Sequence, residues 1–460
     1  MKRFLLVIAF IILGINLNAQ STIIDYDAYS LKFTVTNESN AECSVACSTP
    51  PTAETVLTIP SSVTIDGIDC TVTSIADNGF YECEMFVGDL VIPNTVTEIG
   101  DRAFRNSTGF NGTITLSENL KSIGEMAFGC GSGKTMNFTG KLTIPSSVEY
   151  MGRACYQNCA GLTSLEFEEN SKLTSINEYA FYACKSLAGE LIIPDGVTVI
   201  GKVSFRECEA LTSLHLPDGV TTIEESAFES SGITTVNIPN SITNFGNRTF
   251  FSCKKLETVT FDDDMQIDSI SGYFVYNCIK LKNIEIPDCV KAIGERAFAN
   301  SGLKNIEIPS GVTAVRFAAF SYCSKLSSII SNPEAVPVTS AEAFSDCPID
   351  MKIYVPASSV DAYKSASQWN NFAILPMGEG IVSLESEDGS SFEVYPNPSE
   401  VNAQINLGDT FNRVEVYNAA CAKVSEYKET DNISGIETSG VYFIKAVNDD
   451  KVRTCRIVVK

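Results

Sequence analysis

Cysteine is the residue type with the most chemistry to offer in this chain: 16 of its 460 residues. Cys83, Cys130, Cys159, Cys184, Cys208, Cys253, Cys278, Cys323 and Cys347 fall at the end of a recurring phrase, A-F-x-x-C. Many cysteines in an exported chain invite a disulfide reading. A column of like residues, one repeat apart and facing inward, instead suits free thiols, because a buried Cys behaves as a small hydrophobe. Cys43 with Cys47, and Cys155 with Cys159, come in close pairs and are the disulfide or reactive candidates. No C-x-x-C pair occurs, so zinc-ribbon and thioredoxin-type chemistry is not offered.

The remaining candidates are thin. A single histidine, His215, rules out His clusters for zinc and leaves acyl-transfer chemistry without a supply of bases. His215 sits in LTSLHLP between two inward leucines and should point outward as an ordinary surface residue. Asp262, Asp263 and Asp264 form the densest acid run. Calcium needs 6–8 oxygens, and a bare triplet lacks the spaced loop that supplies them, so a solvated loop is expected. GCGSGK (129–134) lacks the glycine spacing and trailing hydroxyl of a phosphate loop. No nucleophile–base–oxyanion set can be assembled, so no catalytic, metal or cofactor residues are assigned and an enzyme is the remote alternative.

Composition agrees. Apolar residues make up 44% and charged residues 19%, enough to bury a large core. Formal charge is 33 − 56 = −23, which argues against nucleic acid and anionic membrane surfaces as partners.

The elements that must position these side chains come from self-similarity. LTSLHLPDGVTTIEESAFESSG (211–232), ITTVNIPNSITNFGNRTFFSC (233–253) and LKNIEIPDCVKAIGERAFANSG (281–302) share L-x-x-I-x-I-P-x-x-V-x-x-I-G-x-x-A-F-x-x-C. Phe recurs at 80, 104, 128, 181, 205, 228, 250, 274, 298, 320 and 344, with Cys155 assigned to the slot between 128 and 181. The span of 344 − 80 over eleven steps gives a mean period of 24, inside the leucine-rich-repeat range of about 20–29. About 12 coils are expected over 57–350. In each, the alternating L-x-x-I-x-I is a short strand closed by Pro, V-x-x-I-G is a second short piece, and A-F-x-x-C is a short helical or 3-10 turn. Gly100, Gly124, Gly152, Gly201, Gly246 and Gly294 are read as sharp corners with positive φ. A single coil cannot bury its apolar residues alone, and stacking turns each position into a column.

This pattern closely resembles the BspA-like leucine-rich repeats, a bacterial surface-protein class, over roughly two thirds of the chain. The resemblance implies a mainly β, leucine-rich-repeat solenoid and a part in adhesion.

The ends carry different signals. Residues 1–19 (MKRFLLVIAFIILGINLNA) have a basic start, an apolar stretch and a small residue before a cut, as in a secretory signal peptide. No other segment has the ~20 apolar residues of a membrane span, so no transmembrane anchor is expected. Residues 20–56 alternate like a hairpin and serve as an N-terminal cap. Residues 351–375 form a C-terminal cap: Ile353 and Val355 make a last strand, Val360 to Trp369 a short amphipathic helix, and Trp369 packs inside it. A linker spans 376–391. Residues 392–460 read as alternating strands of a small antiparallel β-sandwich, with 8 basic against 10 acidic residues, so the acidity sits upstream.

That tail resembles the C-terminal sorting domain of the type IX secretion system, on Tyr395-Pro396-Asn397-Pro398, the SGVYFIKA strand and the basic, apolar finish at Lys460. The resemblance implies delivery by the secretion machinery, to be secreted from or attached to the outer surface of a Gram-negative bacterium. Cys421 departs from the family's usual Gly, and its pairing with Cys455 is left open.

One outward slot recurs along the first strand of the coils: Thr58, Val91, Thr115, Thr143, Glu166, Ile192, His215, Asn237, Thr260, Glu285 and Glu307. Rows at roughly 4.8 Å spacing would make a face on the order of 50 Å long. Such a face suits a protein ligand on a host, a matrix or a neighbouring cell rather than a small substrate, which needs a concave pocket. Glu285 and Glu307 should be neighbours and, as an exposed like-charged pair, should do little. The expected function is an exported cell-surface protein that mediates protein–protein interaction in adhesion or matrix binding, with glycan or peptide capture for nutrition as the alternative.

Overall fold

The structure is a computed structural model that describes residues 20–131, 133–377, 404–418, 423–437, 440–448 and 451–459. The expected signal peptide (1–19), nearly all of the expected linker (376–391), Cys421, Tyr395, Pro396, Asn397, Pro398 and Lys460 lie outside the described residues. Described helix is confined to Ala357–Ser359, Val360–Ser365 and Trp369–Asn371. The chain is mainly β, a solenoid of about 13 turns followed by an antiparallel half-barrel sheet. It divides into two units. The first comprises residues 1–304, 311–326 and 337–348, and the second 305–310, 327–336 and 349–460.

The first unit opens with strands Ser21–Asp25, Ser30–Asn37 and Glu42–Thr49, paired antiparallel in that order. Their alternation buries Leu31, Phe33, Cys43 and Val45 completely. Glu42–Thr49 then runs parallel to Ile68–Ile75, which pairs with Glu98–Ile99, the second short strand of a coil.

Each regular coil holds two short strands joined by turns. The first strands pair in parallel, as in Gly189–Ile192, Leu211–His215, Thr235–Ile238 and Thr258–Phe261. The second strands do the same, with Ile176, Ile200, Ile223 and Phe245 in one row. The proline after the first strand starts a tight turn. Its carbonyl accepts the valine N–H three residues on, as in Val197 to Pro194 at 3.0 Å and Val220 to Pro217 at 3.1 Å. Without an N–H of its own, Pro ends the ladder while its carbonyl closes the corner.

The A-F-x-x-C segment contains 3-10-type bonds, such as Cys208 N–H to Phe205 O at 3.3 Å. It forms no regular helix, because two non-glycine residues in most coils are left-handed. They lie two before and two after the aromatic slot: Tyr179 and Ala183, Val203 and Glu207, Ser226 and Ser230. Each costs of order 1 kcal/mol. The offset is visible in the next coil, to which alternate N–H groups donate: Val203 to Glu225, Phe205 to Ala227 and Glu207 to Glu229, at 2.8–3.0 Å. The turn is thereby as fully hydrogen-bonded as a strand.

The six corner glycines do not have positive φ; left-handed glycine occurs instead at 67, 88, 133, 140, 189 and 435. The corner glycines are required by close approach. A Cβ on Gly124 would stand 2.5 Å from Asp101 N, and one on Gly246 2.2 Å from Glu225 N. The sharp corner was the wrong reason for the right residue.

The aromatic column also needs two corrections. Phe128 stacks on Tyr156 at 5.1 Å and Tyr156 on Phe181 at 5.5 Å, so Tyr156, not Cys155, fills that slot. The column runs Phe80, Phe104, Phe128, Tyr156, Phe181, Phe205, Phe228, Phe250, with rings 5.0–5.7 Å apart and planes within 13°. There it breaks. Tyr273 and Asn277 are the left-handed pair of the next coil, which puts Val275 in the slot. Phe274 steps aside and meets Phe250 at 82°. Phe298, Phe320 and Phe344 then resume the stack.

In the second unit, strands Asn305–Ile308, Ser328–Ser331, Lys352–Val355 and Ala373–Pro376 form one parallel sheet. The strand holding Ile353 and Val355 is therefore not the last, since Ala373–Pro376 follows it. The helix is Val360–Ser365, shorter than the sequence indicated, and Trp369 begins a 3-10 turn after it. Trp369 is fully buried, with its ring centroid 5.1 Å from that of Tyr363 and the two planes at 81°. Tyr363 and Ser331 hydroxyls bond at 2.9 Å, tying this helix to the sheet strand Ser328–Ser331. Of the expected tail sandwich, the described residues form one four-stranded antiparallel sheet: Lys423–Ile433, Ile405–Asn418, Gly440–Asn448 and Lys451–Val459. Its core is Ile405, Leu407, Phe411, Val414, Val416 and Ile444 with their neighbours.

Candidate functional site on the outward face of the coils

The outward slot of the first strands is solvent-facing. Val91, Thr115, Glu166, Ile192, His215, Asn237, Thr260, Glu285 and Glu307 are exposed and Thr143 is half-buried. Strand pairing fixes their neighbours because β alternation holds inward Leu and Ile in the core and puts the intervening residue outside. Val91 stands opposite Thr115, Thr143 opposite Glu166, Ile192 opposite His215, and Asn237 opposite Thr260. Glu166 pairs with Lys141. Asn237 accepts from the Thr260 hydroxyl and donates to Asp262, both at 2.7 Å. The acid triplet is thus drawn into the same surface network. Ile192 and Val91 stay 57% and 56% exposed, which makes the face mixed rather than purely polar. Glu307 belongs to the second unit, where Asn332 donates to it at 2.6 Å and Ile330 stands opposite it in register.

The cysteines form a satisfied ladder rather than a reactive set. Sγ of Cys159, Cys184, Cys208, Cys253, Cys278, Cys323 and Cys347 donates to the carbonyl of the preceding aromatic, at 3.1–3.4 Å. Ser107 makes the same bond to Phe80 O in a coil without cysteine. Cys130 is not a rung. It lies two residues after Phe128 rather than three, and its N–H donates to Gln157 O at 2.9 Å. Cys155 and Cys159 are both buried, and burial holds the Cys159 thiol well above its ordinary range. Cys43 and Cys47 share one strand four residues apart, roughly 13 Å at strand rise, too far for a disulfide.

Burial pushes Cys184 up to about 12 and Cys253 up to about 11. A raised thiol pKa stabilises the fold below the unfolded-state value of about 8.5 and that contribution is lost as pH climbs toward the folded value. Melting temperature should therefore be flat from pH 7 to 8 and fall steadily between about pH 9 and 11. Circular-dichroism melts across that range check it, and an unchanged midpoint at the alkaline end would contradict it.

Sequence reasoning missed a second surface. Around the break at Val275, Arg248 lies 5.2 Å from the ring centroids of both Phe251 and Tyr273. Arg296 lies 5.7 Å from Tyr273 and 4.8 Å from Phe317. Phe251 and Tyr276 stack at 4.8 Å, and Arg296 donates to Tyr273 Oη at 2.8 Å. All six are half-buried. The legible signal was Arg or Tyr recurring two residues before the aromatic slot, in GDRAF, NEYAF, GNRTF, GYFV and GERAF.

The repeat geometry has its counterpart in known proteins. The BspA type leucine-rich repeat region matches residues 73–189, 174–273 and 247–371, well over half of the chain. The chain is a BspA-type leucine-rich-repeat protein. The secretion system C-terminal sorting domain matches residues 393–460. This BspA-type protein is therefore delivered by a secretion system to the surface of a Gram-negative bacterium of the Bacteroidetes. Among the described residues no helix is long and apolar enough to cross a membrane. A leucine-rich repeat protein from Bacteroides ovatus is similar in fold, with TM-score 0.54 and 24% identity over 77% of this chain and 99% of that one. A leucine-rich cell surface protein from Faecalibacterium prausnitzii gives 0.44 and 24% over 78% and 95%. No curated protein matches the chain. Leucine-rich-repeat proteins are typically binding proteins rather than enzymes.

Proposed function

We propose that this surface protein binds a protein ligand of a host, a matrix or a neighbouring cell, in adhesion, and catalyses no reaction. In the first unit the ligand lies along Thr115, Thr143, Glu166, Ile192, His215, Asn237, Thr260 and Glu285, and Glu307 is proposed as a binding residue of the second unit by itself. The carrying observation is the register: Ile192 opposite His215 and Asn237 opposite Thr260, exposed apolar and hydrogen-bonding groups alternating on rigid strands. Mixed polarity on a preformed surface is the composition of a protein interface. The proposed division of the chain is a signal peptide (1–19), caps at 20–56 and 351–375, the solenoid between them, a linker at 376–391 and the sorting domain at 392–460.

A second reading, capture of glycans or peptides for nutrition, is favoured by the arginine–aromatic cluster at Arg248, Phe251, Tyr273 and Tyr276, since ring faces suit stacking. One experiment separates them. The secreted protein is tested against immobilised matrix proteins and on a glycan array, as wild type, as Ile192→Asp/Asn237→Lys, and as Phe251→Ala/Tyr276→Ala. The first double variant is expected to bind matrix protein about tenfold more weakly, one interface hot spot. Glycan binding abolished by the second variant, with no matrix binding by wild type, would replace the first reading by the second.

A further inference from the structure

The corners that lead from each turn into the next first strand carry charge unevenly. From the aromatic slot at Phe80 to the one at Phe228, these corners hold Glu82, Glu84, Glu207 and Glu209 against Lys134 and Lys185. Both lysines are paired with those acids, Lys134 with Glu84 at 2.6 Å and Lys185 with Glu209 at 3.1 Å. The next corners are SCKKLE (252–257), NCIKLK (277–282), NSGLK (300–304) and YCSKL (322–326). They hold Lys254, Lys255, Lys280, Lys282, Lys304 and Lys325 against Glu257 alone, in a chain with 56 acidic and 33 basic residues. All lie in the first unit. Lys304 is half-buried and the others are exposed. The buried leucine of each corner fixes the row. Lys255, Lys280 and Lys325 stand one residue before Leu256, Leu281 and Leu326, and Lys282 and Lys304 one residue after Leu281 and Leu303. Lys304 N–H donates to Lys282 O at 3.0 Å, so these two are backbone neighbours on successive coils. Glu257 takes up one charge, meeting Lys280 Nζ at 2.9 Å. Lys254 and Lys325 make no ion pair among the described residues. In the same corners Ile279 and Tyr322 stay 48% and 59% exposed.

We propose that this lysine row binds an anionic polysaccharide, a single chain of sulfated or carboxylated sugars laid along the four corners. Stacked coils lie roughly 4.8 Å apart, so the row offers cations at close, regular intervals over on the order of 15 Å. A lysine ammonium is a point charge on a flexible stem and meets a sulfate or a carboxylate without a fixed geometry. Tyr322 adds an exposed ring, flat and apolar with a polar tip, for the face of a sugar between two charges. Duplex nucleic acid fits worse. It carries one charge per ~1.7 Å of axis and is repelled along its length by a molecule of formal charge −23. An anionic membrane sets its whole plane against the same acidic surface. A single polysaccharide chain touches the row alone. Within each coil the row precedes the outward column, and the proposal does not depend on what that column binds.

The test passes the full-length secreted protein over immobilised heparin, hyaluronan and uncharged dextran. It is run as wild type, as Lys255→Gln/Lys282→Gln/Lys325→Gln, and as Lys121→Gln/Lys172→Gln/Lys291→Gln. The two variants lose the same charge, the second one away from the row. Every substituted lysine is exposed, so both variants keep the fold. Wild type is expected to bind heparin or hyaluronan and not dextran. Binding should weaken as salt rises from about 0.1 to 1 M and the screening length falls from ~10 to ~3 Å. The row variant should bind about tenfold more weakly, at roughly twofold for each exposed charge contact, and the other variant should bind as wild type does. The proposal is overturned if wild type ignores both anionic chains or if the two variants weaken alike. It is overturned equally if poly-L-glutamate, single-stranded DNA or phosphatidylserine vesicles compete better than either sugar. The row variant leaves the outward column intact, so sugar binding lost with matrix-protein binding retained is the expected pattern. Loss of both at an unchanged melting point would merge row and column and overturn the separate site.

Discussion

Replacing Gly246 by alanine is expected to destabilise the first unit by about 3 kcal/mol, read as a melting point lower by about 10 °C. The added Cβ would stand 2.2 Å from Glu225 N, 2.4 Å from Glu224 C and 2.7 Å from Glu225 Cα. All three are backbone atoms of the neighbouring coil, which is itself held by its strand bonds. No side chain can swing away to make room. The two coils must part, and parting them lengthens the bond from Gly246 N–H to Ile223 O, now 2.7 Å. Gly246→Asn sharpens the test. Asn tolerates left-handed backbone, so it would rescue a glycine kept for its φ. It carries the same Cβ, so it should fail as badly as alanine. Circular-dichroism melts of the two variants decide the matter: tolerance of Asn would restore the corner explanation, and tolerance of both would remove the close-approach one.

Phe205→Ala is expected to cost about 3–5 kcal/mol. Phe205 is fully buried between Phe181 at 5.3 Å and Phe228 at 5.6 Å, with all three rings nearly parallel. Truncation leaves a gap that the stack cannot close, because the rows on either side are fixed by strand register. Phe205→Leu refills most of the volume and should lose less than about 1.5 kcal/mol. Denaturant unfolding monitored in the far ultraviolet separates the two. Equal losses would mean that the ring stack as such, and not volume, holds the coils. A negligible loss for alanine would mean that the column is not the core.

The solenoid was legible because stacking converts sequence period directly into spatial column. Any residue recurring every 22–28 positions in one phrase must lie in one row, whatever its exact backbone path. What the period does not carry is the phase at irregular coils. Phe274 is off the slot by one residue because chemical type was followed instead of position, and Cys155 because the aromatic Tyr156 beside it was passed over. The marker that locates both slots is the left-handed pair around them, 154 and 158 in one coil and 273 and 277 in the other, and that marker is conformational. The glycines were found and their reason missed, since contact across coils cannot be seen within one phrase. The outward column needed only strand alternation. The arginine–aromatic cluster becomes visible only once it is known which turns are adjacent.

The antiparallel hairpin at the start of the first unit has a further consequence. A parallel stack ends in a row of open backbone groups, and a second molecule's last coil would fit such a row as well as its own neighbour does. Head-to-tail growth of that kind does not close on itself and leads to fibres. The hairpin occupies this edge instead: Ser30–Asn37 runs against Glu42–Thr49, and Ser21–Asp25, laid outside it, turns back to run with it. That outermost strand is only 5 residues long, and so short an edge offers an arriving copy few backbone partners.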